Sequence, residues 1–271
     1  NAAGNDNQLA SAIAIGVSAG QTNQAANAVA IGQNAGNNNQ ESGNVAIGNS
    51  AGQITQRVNA VAIGNAAGMT NQAANCVAIG VSAGNGNQQT GAVAIGNSAG
   101  NNTQEGGAVA IGLLAGQTTQ RTNAVAIGNA TGNGNQQRGA VAIGNFAGNT
   151  TQGENCVAIG RDAGQTTQQQ QAIAIGTSAG NLNQSSLSVA IGGSAGFNRQ
   201  GTRSVAIGFI AGQSFQGDNA IAIGNNTGSS SQSGNAIAIG NNAGAGSGTI
   251  GQGASAIAIG INAGQVTQRA S

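Results

Sequence analysis

Every sixteen residues this chain returns to the same short phrase, Val-Ala-Ile-Gly or Ile-Ala-Ile-Gly, and that fixed period limits its fold more than any other feature. We number one repeat from Asn59 as position 1. Fourteen full repeats run from Ser11 to Gly234. A twenty-residue repeat follows over Asn235–Ala254, and another starts at Ser255. Position 3 is Val or Ile, position 4 is Ala, position 5 is Ile, and positions 6 and 10 are Gly. Position 9 is Ala except at Thr131 and Thr227, and position 14 is Gln. The other positions drift among Asn, Ser, Thr, Gln and Gly. A disordered segment of similar composition has no reason to hold such a register.

Alternation of β-branched and small residues over Ala-Val-Ala-Ile marks a short strand. Gly at position 6 ends it, Gly at position 10 permits a second bend, and positions 11–14 form a second strand. Positions 15, 16 and 1 turn the chain back. Sixteen residues cannot hold a strand, a helix and a return, which excludes helical and leucine-rich solenoids. The expected fold is an all-β parallel β-solenoid (β-roll) of about 16 coils. It is read as a single continuous array over 1–271, a piece of a longer chain, with a four-residue insertion in the loop 245–252. At ~4.8 Å per coil the array would extend roughly 75 Å.

Stacking turns each position into a column. With only four Phe and no Trp or Tyr, the core must be thin. The Val and Ile of positions 3 and 5 are expected to fill it. The Gln column (Gln24, Gln40, Gln56, Gln72, Gln88, Gln104, Gln120 and Gln136) is expected to form an amide ladder, because an unpartnered buried amide is costly. Position 4 would then point away from the core. An unbroken column of Ala in water would be odd, so Ala30, Ala46, Ala62, Ala78, Ala94, Ala110 and Ala126 are expected to form an interchain face, in a homotrimer or a filament.

The Ser-Val-Ala-Ile-Gly at Ser188–Gly192 and Ser204–Gly208, and the Asn-Ala-Val-Ala-Ile-Gly at Asn27, Asn59 and Asn123, resemble the head repeat of YadA-like trimeric autotransporter adhesins. The resemblance covers about six residues of each sixteen. It implies a left-handed β-roll, three chains side by side, and display on a bacterial surface to bind host matrix or cells. The family's coil is shorter and continues with a Ser-x-Ala strand, where this chain has Ala-Gly-x-x-x-Gln. The Gln and Asn columns also resemble curli-type fibres, and viral and phage fibres use repeats of this kind.

Composition removes other classes. The chain has no His, so a His-based triad or His-ligated metal is impossible, and its six acidic residues are scattered. No enzyme activity, cofactor or metal is expected. Seven basic residues, all Arg, balance the acids, and no basic face with aromatics suggests nucleic acid. No apolar run approaches the ~20 residues of a membrane span. Nine charges (Glu41, Arg57, Glu105, Arg121, Arg138, Glu154, Arg203, Asp218 and Arg269) fall at positions 15, 16 or 1 and define one wet edge.

Cys76 and Cys156 replace Ala at position 2, five coils apart, too far for an intrachain disulfide. They are either buried substitutes for Ala or bridges to a neighbouring chain. The expected function is an extracellular or cell-surface structural and adhesive fibre module, with a host or surface ligand. A filament stacking end to end is the alternative. An ice-binding protein, with its Thr and Asn at position 13 (Thr55, Asn71, Thr103, Thr119, Thr151 and Thr167), is a third reading.

Overall fold

The computed structural model describes residues 3–246 and 251–265, and its chain divides into two compact units, Asn1–Arg138 and Gly139–Ser271. Each unit is built from the same coil, and together they comprise about 16 turns of about 16 residues. No helix occurs among the described residues. The protein is an all-β parallel β-solenoid. Residues 247–250 of the insertion loop, and Gln268 and Arg269, lie outside the described residues.

In the first unit the position 3–5 strands stack in parallel, in sequence order, from Ile13–Ile15 to Val125–Ile127. Register is residue on residue: Val61 pairs Val77, Ala62 pairs Ala78 and Ile63 pairs Ile79. Each coil hydrogen-bonds in both directions, as where Val61 N donates to Cys76 O at 2.9 Å and Gly64 N to Ile47 O at 2.8 Å. In the second unit the corresponding strands stack from Val141–Ile143 to Ile257–Ile259, again position on position.

The second strand is shorter than the sequence suggests. It covers positions 13 and 14 in coils such as Thr103–Gln104 and positions 12–14 in coils such as Thr22–Gln24 and Ser214–Gln216. The three-residue form carries a left-handed residue in its middle, Asn23 at φ 53° or Asn183 at φ 56°. Asn tolerates that conformation better than most residues.

Two glycine columns are dictated by contact. A Cβ on Gly96, at φ +127°, would lie 2.5 Å from the carbonyl oxygen of Gly112 in the next coil. A Cβ on Gly100, at φ +51°, would lie 2.7 Å from Gln104 Oε1. The first glycine lets successive backbones approach, and the second makes room for the buried glutamine.

The interior reverses the expected assignment of inside and outside. Ala30, Ala46, Ala62, Ala78, Ala94, Ala110 and Ala126 are fully buried within their own chain. They pack against the position 9 alanines, including Ala35, Ala51 and Ala67. They are therefore not an interchain face. The β-branched side chains of positions 3 and 5 point outward, with Ile79 and Ile143 each 36% exposed. The reason is volume. Glutamine from the second strand fills much of the narrow interior. The methyl of Ala110 sits only 3.3 Å from where a Cβ on Gly116 would lie. Val or Ile at position 4 would not fit.

Candidate functional site

Three surfaces follow from this arrangement: a closed ladder, an apolar face and a polar trough.

The ladder is internal. In the first unit Gln24 Nε2 donates to Gln40 Oε1 at 3.2 Å, Gln40 to Gln56 at 3.1 Å, and Gln56 to Gln72 at 3.1 Å. The series continues through Gln88, Gln104 and Gln120 to Gln136. Each amide also reaches across its coil, as where Gln104 Nε2 donates to Val93 O at 2.8 Å and Gln120 Nε2 to Val109 O at 2.7 Å. The ladder therefore ties coil to coil and strand to strand. In the second unit it runs from Gln152 to Gln232 and on to Gln252, spanning the twenty-residue coil at 3.1 Å. With both functions of each amide engaged, these glutamines serve structure and offer nothing to a ligand.

Position 2 lies on the same inner side. Polar residues there are satisfied locally: Asn44 Nδ2 donates to Gln56 O at 2.6 Å, and Ser204 Oγ to Gly201 O at 2.7 Å. Cys76 and Cys156 are free and fully buried. Cys76 Sγ donates to Gln89 O at 2.9 Å, and Cys156 Sγ to Gln169 O at 2.7 Å. Burial raises both thiol pKa values, that of Cys156 to about 11. Both thiols lie inside their own coil, which is the arrangement expected of buried substitutes for Ala.

The outer side of the position 3–5 sheet carries two adjacent columns of Val and Ile. Position 7 widens this apolar surface in places, with Val17 and Val81 each 50% exposed and Phe209 56% exposed. Sequence reasoning places positions 3 and 5 in the core, whereas the drift of residue type at position 7 agrees with an exposed column. The available signal was that position 3 exchanges Val for Ile, as at Ile173 and Ile221, while position 4 never varies.

The third surface lies between positions 13 and 15, outward on either side of the buried glutamine. In the first unit a shallow trough of about 460 Å³ is lined by Thr55, Arg57, Asn71, Gln89 and Thr103. Within it Asn71 Nδ2 donates to Asn87 Oδ1 at 3.1 Å, and earlier in the same column Asn7 Nδ2 donates to Asn23 Oδ1 at 3.1 Å and Asn23 to Asn39 at 3.0 Å. The charged edge borders it. Glu105 accepts from Thr122 Oγ1 at 2.9 Å and lies 3.6 Å from Arg121. The Thr122 hydroxyl bond is the main influence lowering its carboxyl pKa.

Comparisons with protein-family models, with curated protein sequences and with solved structures returned no match. The fold defines the class, a parallel β-solenoid of tandem repeats. No helix among the described residues is long and apolar enough to cross a membrane.

Proposed function

We propose that this chain is a non-enzymatic module of an extracellular or cell-surface fibre, which associates with copies of itself and displays repeated polar surfaces for adhesion. The observation that carries this reading is the double column of Val and Ile on the outer side of the position 3–5 sheet. A contiguous apolar surface of this kind is an interface or an aggregation hazard. The resemblance of the Ser-Val-Ala-Ile-Gly phrases to YadA-like adhesin heads supports side-by-side packing of such faces, with three copies as the arrangement it favours. Identical sites repeated at strand spacing multiply weak contacts, which suits adhesion. The wholly engaged Gln ladder and protonated thiols leave the interior without an evident chemical task, which supports a structural role.

The test is mass in solution. Light scattering of the full chain should give a multiple of the 25.7 kDa monomer. Replacing Ile79, Ile95 and Ile111 by Glu should lower that mass while the β circular dichroism spectrum persists, since charges in a dry seam are costly. A monomeric wild-type chain, or an unchanged mass in the triple variant, would refute self-association through this face.

A further inference from the structure

We propose that the hollow formed by Asn183, Arg199, Phe215 and Asp218 in the second unit binds the sugar rings of a neutral polysaccharide. The proposal deepens the adhesive part of the reading above by naming a class of ligand.

Two departures from the repeat meet at this point. Column 13 is otherwise Asn, Thr or Ser in the described coils, with Gly251 in the twenty-residue coil, yet here Arg199 is followed one coil on by Phe215, 48% exposed. The Arg199 guanidinium lies 5.4 Å from the centre of the Phe215 ring. Both residues adopt left-handed backbone, φ 54° and 52°. Asn183, one coil before, occupies the same conformation at φ 56°, which Asn adopts at low cost. The left-handed backbone is the regular form of the three-residue second strand, so the departure lies in the side chains it carries, a guanidinium and an aromatic ring where other coils present a short amide.

The second departure is at position 15, where Gly201 and Gly217 fall in successive coils, whereas Gly153 and Gly253 stand singly among side chains such as Glu41, Arg57 or Gln89. A Cβ on Gly201 would lie 2.5 Å from the Gly217 carbonyl carbon. Bare backbone therefore floors a hollow of about 470 Å³, open to solvent.

The chemistry of the lining selects the ligand. Asp218 Oδ1 accepts from Thr202 N at 2.7 Å, which holds the carboxylate in place. Its other oxygen has no hydrogen-bond partner among the described residues. One guanidinium and one carboxylate give the hollow no net charge, which disfavours phosphates and polycations. An exposed aromatic ring beside planar amide, guanidinium and carboxylate groups matches a pyranose, which has an apolar C–H face and a rim of hydroxyls. Successive coils rise by about one strand spacing, close to the advance of an extended β-linked glycan per sugar, so neighbouring rings could meet neighbouring coils.

The experiment uses the full chain and a panel of neutral tetra- to hexasaccharides with β-1,4 or β-1,3 links. Saturation-transfer nuclear magnetic resonance detects binding, and calorimetry measures it. At least one oligosaccharide should bind. Phe215→Ala should weaken binding by about tenfold or more, and Asp218→Asn by less. Phe215→Trp should retain it, and Phe146→Ala, in column 8, should leave it unchanged. No binding across the panel at millimolar sugar, equal binding by wild type and Phe215→Ala, or equal loss in Phe146→Ala would each overturn the proposal. Light scattering on the same samples separates the two readings. A chain that self-associates but binds no sugar refutes only this site, and a monomer that binds sugar refutes only self-association.

Discussion

Ala94 and Ile95 are neighbours in one strand, yet the smaller side chain is fully buried and the larger faces outward. The usual expectation puts the larger apolar residue inside. That rule runs one way only: apolar residues dominate cores, but much surface is apolar as well. Here the interior is set by the glutamine it must contain. Once Gln104 lies across the coil, with Gly100 beneath its amide, only a methyl fits on the facing strand. The inner side is thus limited by volume and the outer side by what covers it.

The difference predicts a hierarchy of substitutions, each followed by thermal unfolding in circular dichroism. Gly96→Ala should do most damage. It places a Cβ against the backbone of the next coil at a φ suited to glycine, costing about 3–5 kcal/mol. A melting point within a degree or two of wild type would mean that successive coils are less tightly apposed than described. Gln104→Leu should follow at about 2–3 kcal/mol, because it leaves Gln88 Nε2, Gln120 Oε1 and the Val93 carbonyl without their partner. If the leucine variant were as stable as wild type, the interior would be governed by apolar filling and not by amide pairing.

On the outer side, Ile95→Thr keeps the β-branch and should cost within about 1 kcal/mol in the isolated chain. A loss as large as that of Gln104→Leu would collapse the distinction between the two sides. The smallest effect concerns pH. The folded state holds the Cys156 proton more tightly than the unfolded state, since burial raises its pKa from 9.0 to about 11. This contribution to stability is complete below pH 9 and is lost as the pH rises toward 11. The wild-type melting point should therefore fall more steeply across that interval than that of Cys156→Ala, and identical slopes would place the thiol in contact with water.

The coil, its two strands and its glycine bends could be read from the sequence because each is a local signal repeated many times. The parity of the strand could not. Val-Ala-Ile alternates with a period of two, and either face can be taken as the inner one. Side-chain size then argues for the wrong choice. Two observations favoured the right one. Position 2 shares the parity of position 4 and accepts only small residues or a short amide: Ala, Cys76, Ser188, Ser204 and Asn44. Position 3 exchanges Val and Ile freely, as a surface column can. The hollow at Phe215 was harder to foresee. It depends on the contact between the Arg199 guanidinium and the Phe215 ring one coil apart, which the shared column permits but does not dictate.

The bond from Gln232 to Gln252 has a consequence for how such a chain changes length. Twenty residues separate these glutamines where sixteen separate the others, yet the amides still meet at 3.1 Å. Gly244 still lies beneath the second of them, its hypothetical Cβ 2.8 Å from Gln252 Oε1. Registration is therefore enforced by matched columns and not by counting residues. The segment between the second glycine and the glutamine is a splice point. Genetic insertions there can lengthen one turn and leave the following turns in step, and a protein engineer could place an epitope or an enzyme tag at the same spot.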